Sequence, residues 1–151
     1  REIALYGKQR LTVVMEFASA NLAVGIDVVS ISRIERIWNN YPNKFRNFAY
    51  TSNEQQYCDD QFSPSQHYAV RWAAKEAYIK AVGKFGGNPD LTSIEVIREP
   101  VPHLNLTGDG YRLLSEVTSD KGVSPDSSSI ALSMTHERDT DLALGFVLII
   151  F

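Results

Sequence analysis

The chain has 151 residues, 44% of them hydrophobic and 22% charged, with a formal net charge of −3. That is apolar material for one compact domain, since chains of this size bury roughly 70% of their unfolded surface, and the acidic balance argues against nucleic acid as the main partner. The longest apolar run, "LALGFVLIIF", is shorter than the about 20 residues a bilayer span needs, so no membrane span is expected, and a lone cysteine, Cys58, excludes an internal disulfide and fits a reducing compartment such as the cytoplasm.

In chain order, no signal peptide is expected in the first ten residues, which carry Arg1, Glu2, Lys8 and Arg10 and no apolar core. Residues 10–18, "RLTVVMEFA", read as a short strand or an extension, and residues 1–21 are set apart as an N-terminal extension from a single domain over 22–151. "LAVGIDVVS" reads as a mostly buried strand with Asp27 inside it. Ser32 and Glu35 have capping-box spacing and predict a helix start. Ile34, Ile37 and Trp38 would form its inner stripe, and Asn39, Asn40 and Pro42 its end. Thr51 or Ser52 can cap the next helix, and Glu54 follows Thr51 at the capping spacing.

"SPSQ", residues 63–66, reads as a turn or the head of the next helix, which the spacing predicts from about His67 to Val82. Its inner stripe is Val70, Ala73, Ala74, Ala77 and Ala81, small residues that let a neighbouring element come close. Gly83 is its expected cap. Residues 91–99 and 102–108 read as strands, and 110–122 as a helix with Tyr111, Leu114 and Val117 on one face. "SSSIALSMTHE" and "TDLALGFVLIIF" form a closing hairpin, the second a buried closing strand. The order predicts an α+β fold with an antiparallel sheet packed against helices.

Two carboxylates draw the functional question. Asp27 in "VGIDVV" cannot be buried alone, because an ionised group in an apolar medium costs several kcal/mol or more. It caps the next helix, pairs with a cation, or joins a site. Glu76 stands four residues before Lys80, the spacing of an ordinary surface pair worth a few tenths of a kcal/mol. Converging in space, a strand-borne Asp and a helix-borne Glu would offer oxygens to a hard divalent cation, which completes its shell with water and phosphate. Lys80 would then suit a bound phosphate. His67 and His103 lack a partner at metal-ligand spacing and read as surface residues, and Cys58 as a small buried one. "GKFGG" lacks the residue order of a P-loop and reads as the end of the helix.

Three segments carry a resemblance. "GIDVVSISRIER", "RWAAKEAYIKAVG" and "IALSMTHERD" resemble, in order, the signature segments of the 4′-phosphopantetheinyl transferases, most closely the small holo-acyl-carrier-protein synthase type. The resemblance covers the chain from about Val24 onward. It implies transfer of the phosphopantetheine arm of coenzyme A to a serine of an acyl or peptidyl carrier protein, with release of 3′,5′-ADP. By it, Asp27 and Glu76 are metal ligands for Mg²⁺, with Mn²⁺ as a substitute. Lys80 contacts the pyrophosphate and protonates the leaving group, while the serine proton goes to Glu76 or to water. Arg71, Thr135 and His136 lie near the coenzyme's phosphates, and Gly83 lets the backbone approach its adenine end. Arg33 and Arg36, helped by Lys44 and Arg46, meet the acidic carrier. The family's small type is a homo-trimer with shared sites, though similar domains also occur fused to large synthases. The rival readings are a two-carboxylate metal hydrolase of phosphate esters and a non-catalytic assembly domain.

Overall fold

The computed structural model describes residues 21–83 and 89–151. The strand expected at 10–18 and most of the glycine-rich turn after Gly83 lie outside the described residues. Strand β1 (Leu22–Ser30) leads into helices α1 (Ile31–Asn40), α2 (Pro42–Ala49), α3 (Ser52–Asp59) and α4 (Pro64–Ala81). A 3₁₀ turn at Leu91–Ser93 precedes β2 (Ile94–Ile97) and β3 (His103–Leu106). Then come α5 (Gly108–Asp120), a second 3₁₀ turn at Pro125–Ser127, β4 (Ser129–Glu137) and β5 (Leu142–Ile150). The α+β class and the antiparallel pairing stand as expected.

The main sheet has the order β1-β5-β4, antiparallel throughout, and β2 and β3 form a separate ribbon. The last strand is therefore the middle of its sheet. Helix α4 lies across one face of that sheet, and its alanines explain how closely. A Cβ on Gly25 would stand 1.8 Å from the Ala77 carbonyl oxygen, and one on Gly145 would stand 2.5 Å from the Ala73 backbone. The expected inner stripe of Val70, Ala73, Ala74, Ala77 and Ala81 is buried throughout. One core cluster gathers Ile34, Phe45, Tyr50 and Tyr68 around the first half of α4, and a second gathers Tyr78, Ile94, Leu114 and Val147 around the second half.

Several boundaries differ from the sequence reading, each for a physical reason. Ser30, not Ser32, caps α1 by accepting from the Arg33 N–H. Ser32 is occupied otherwise, since its N–H and hydroxyl both donate to the Asp141 carboxylate at 2.7 Å. Helix α4 starts at Pro64, a residue suited to a first turn whose N–H would be unsatisfied anyway. Tyr111 is largely exposed, and α5 turns Gly110, Leu113, Leu114 and Thr118 inward. Most consequential, β1 is not mostly buried. Leu22, Val24, Ile26 and Val28 are 43 to 52% exposed on the face away from α4. The capping box at Thr51 and Glu54 is present as expected, and Gly83, at φ 67°, follows α4 in the left-handed conformation that ends a helix.

Candidate active site

Asp27 points to the α4 side of the sheet, in the row where it pairs with Gly145. Lys80 reaches it from α4, with Nζ donating to Asp27 Oδ1 at 2.7 Å and to the Ile26 carbonyl at 3.1 Å. So Asp27 neither caps a helix nor meets an arginine, and Lys80 pairs across to the strand rather than along its own helix. Glu76 stands beside them. Burial raises its proton affinity first, the Asp27 charge raises it further, and Lys80 partly opposes both. A half-buried carboxylate beside a second carboxylate makes a site with an appetite for positive charge, which Lys80 meets only in part. Among the described residues no cluster of three or more His, Cys, Asp or Glu side chains could hold a metal. A cation here would take two protein carboxylates and complete its shell with water and phosphate, the pattern that suits Mg²⁺.

Lys75, next to Glu76, has a different task. Its side chain is 0% exposed and donates to Glu54 at 2.7 Å, to the Ala49 carbonyl at 2.6 Å and to the Leu91 carbonyl at 2.9 Å. All three ammonium hydrogens are thereby used. Glu54 in turn accepts from the N–H groups of Thr51 and Val96. One ion pair thus locks α4 to the end of α2, the start of α3 and the β2 ribbon. It fixes the rotation of α4 and with it the direction of Glu76. Sequence reading missed this pair. The available signal was the inward stripe Arg71, Lys75, Tyr78 and Val82, running at helical spacing.

On the other flank of α4 lies a cavity of about 250 Å³ lined by Arg71, His67, Tyr57, Arg98 and His136 among others. Arg71 is 2% exposed. Its guanidinium lies 4.1 Å over the Tyr57 ring, it makes one 3.3 Å bond to the His67 carbonyl, and its Nε is buried without a partner. His67 is half-buried rather than a surface residue, and its ring meets that of His136 at 5.1 Å. Burial first, then the His136, Arg71 and Arg98 charges, lower its pKa to about 4, so it is neutral at physiological pH. The lining contains no carboxylate.

The expected coenzyme contacts therefore fall into two groups. Asp27, Glu76 and Lys80 meet at the β1 edge of the sheet, whereas Arg71 and His136 meet at the β4 edge, with β5 between. Thr135 joins neither. As the strand neighbour of His136 it points to the opposite, outer face, where it is exposed. Cys58 is fully buried and its thiol is pushed up to about 12, mainly by burial, which removes it as a nucleophile. Arg33 and Arg36 are exposed on α1, as is Lys44 on α2. Arg46 is half-buried and bonded to Asp59, so it is withdrawn from that stripe.

A family model described as the 4′-phosphopantetheinyl transferase superfamily matches residues 23–136, and the chain belongs to that superfamily. Within it, the chain is an enzyme of the holo-[acyl-carrier-protein] synthase type, a transferase. The holo-[acyl-carrier-protein] synthase of Syntrophus aciditrophicus is 33% identical over 76% of this chain and 85% of its own. That of Geobacter metallireducens is 37% identical over 64% and 79% respectively. Among solved structures, the Neisseria meningitidis synthase superposes with TM-score 0.67 at 28% identity, covering 84% of this chain and 96% of the other. The Helicobacter pylori synthase in complex with coenzyme A gives 0.62 at 26%, covering 83% and 98%.

Proposed function

We propose that the protein transfers the phosphopantetheine arm of coenzyme A to a serine hydroxyl of an acyl or peptidyl carrier protein, releasing 3′,5′-ADP, with Mg²⁺ or Mn²⁺ held by Asp27 and Glu76. The observation that carries this reading is the meeting of Asp27 with Glu76 and Lys80 where β1 passes under α4. The coenzyme A complex of the similar H. pylori enzyme supports the substrate. The bound cation would neutralise charge developing on the departing diphosphate. Asp27 and Glu76 hold and orient it. Lys80, part-exposed and 2.7 Å from Asp27, turns toward the diphosphate and protonates the leaving oxygen. Glu76, or water beside it, accepts the serine proton. Arg71 and His136 hold a coenzyme phosphate, Thr135 adds a hydroxyl, and the backbone at Gly83 admits the adenine end. Arg33 and Arg36 meet the acidic carrier.

The separation of the two groups supports a homo-trimer with shared sites. An extended ligand touching both groups in one protomer would have to cross α4. A second copy whose β4 edge met the first copy's β1 edge, with the apolar outer face of β1 and β5 available for packing, would set its Arg71 flank beside the first copy's Asp27. No helix among the described residues is long and apolar enough to cross a membrane, and the reading places the enzyme in the cytoplasm with its carrier.

The test is mass spectrometry of a candidate carrier after incubation with the protein, coenzyme A and Mg²⁺. The carrier should gain the arm. Asp27→Ala and Glu76→Ala should each abolish the gain while thermal unfolding stays near wild type. Near-normal turnover by either variant would refute the metal assignment, and 3′,5′-ADP released without carrier would point to hydrolysis instead.

A further inference from the structure

Helix α1 starts against the electrostatic preference of helices. The unpaired N–H groups of a helix N-terminus act as a partial positive charge, which favours anions there and disfavours cations. The first turn of α1 contains no acidic residue. It contains Arg33 instead, and Arg33 is exposed. The missing negative charge comes from a distant part of the chain. Asp141 ends the turn between β4 and β5, and its carboxylate is bonded to the start of α1.

The first three N–H groups of α1 all lead to this one residue. Ile31 N–H donates to the Asp141 carbonyl at 3.1 Å, and Ser32 N–H to its carboxylate at 2.7 Å. Arg33 N–H donates to the Ser30 hydroxyl at 3.1 Å, and that hydroxyl donates onward to Asp141 at 2.6 Å. Among the described residues other than glycine, only Asp141 has a positive φ, at 57°. L side chains adopt that conformation at a cost, and Asp and Asn adopt it most readily. The turn is braced in its own right, since Arg138 donates at 3.3 Å to Ser63, the residue that precedes α4. A strained, braced residue thus supplies the charge that the first turn of α1 lacks. We propose that Asp141 is a positioning residue for carrier docking, which offsets the placement of Arg33 in the first turn of α1 and fixes the direction from which Arg33 meets an acidic partner. The proposal rests on the reading that Arg33 meets the carrier. Asp141 itself touches neither substrate and acts through Ser30, Ser32 and the helix end.

The experiment measures transfer with coenzyme A and carrier varied in turn, on wild type, Asp141→Asn, Ser30→Ala, Arg33→Ala and the pair Asp141→Asn, Arg33→Ala. Asn keeps the left-handed backbone and removes the charge. Asp141→Asn should raise KM for the carrier about three- to tenfold, the scale of a lost helix cap. It should leave kcat and KM for coenzyme A close to wild type. Ser30→Ala, which cuts the path from the Arg33 N–H, should move the same constant the same way. With Arg33 already replaced, Asp141→Asn should add less than about twofold. A merely structural role would lower the folded fraction, and kcat with it, without moving either KM. An unchanged carrier KM in Asp141→Asn, an equal rise for coenzyme A, or the full effect in the absence of Arg33 would each overturn the proposal while leaving the transfer reading intact. A wild type that modifies no carrier would remove both. Amide hydrogen exchange gives a readout apart from turnover. Ser32 should lose protection in Asp141→Asn while the amides of α4 keep theirs, and retained protection at Ser32 would overturn the role given to Asp141.

Discussion

Lys75 and Glu76 are adjacent in sequence and do opposite work. Lys75 is satisfied three times over in the interior, while Glu76 is left half-buried with a neighbour of its own charge. Removing one partner of a buried pair strands the other charge, so Lys75→Met should destabilise the protein by about 3–5 kcal/mol. The double variant Lys75→Met, Glu54→Gln should recover part of that in urea denaturation, because neither charge of the pair is then left buried without its partner. Asp141 offers a test in pH. Hydrogen bonds from the hydroxyls of Ser30 and Ser32 and from the Ser32 N–H hold its carboxyl below the usual range. Its contribution is present at neutral pH and is lost as pH falls through the lowered pKa. Asp141→Asn should therefore lower the melting temperature at pH 7, and the gap to wild type should close in acid. At this scale the sequence pointed to Asp27, Glu76 and Lys80 through motif and spacing. It could not show which of two neighbouring charged residues faces inward, because helical phase depends on what packs against the helix.

Among the elements, α4 and its two glycine contacts set the geometry of the site. The alanine stripe made this helix legible, since small residues at helical spacing announce a close neighbour. What they approach was hidden, because Gly25 and Gly145 lie far apart in the chain and only strand register places them under α4. Gly25→Ala would force its Cβ against the Ala77 carbonyl. Overpacking of this kind costs about 1–3 kcal/mol. It would also lift α4 from β1 and part Asp27 from Glu76. Transfer should fall more than stability, which the carrier assay and a melting curve on one preparation would show. The strands were read less well. Alternation in β1 places apolar side chains on both faces, so composition suggested burial where one face lacks a cover within the protomer.

For the whole molecule, that uncovered face is the main clue. Leu22, Val24, Ile26 and Val28 of β1 form one apolar row with the outward residues of β5, among them Phe146, the strand partner of Ile26. Exposed apolar surface of this extent marks an interaction site. Ile26→Glu should therefore shift the mass measured by light scattering from assembly to monomer and reduce transfer with it, while an unchanged mass would count against assembly through this face. The sequence announced the domain and the family through three ordered segments. It could not reveal that Thr135 and His136, read as one motif, face opposite sides of a sheet, or that His136 shares a cavity with Arg71 at the β4 edge while Asp27 lies at the β1 edge.

The proposed site, shared between copies, has a genetic consequence. On that proposal Asp27→Ala and Arg71→Ala would each spoil one half of the machinery and leave the other whole. Neither should work by itself. Dissociated, mixed and allowed to reassemble, the two crippled chains should complement one another, since some of the new junctions would join an intact acidic edge to an intact basic one.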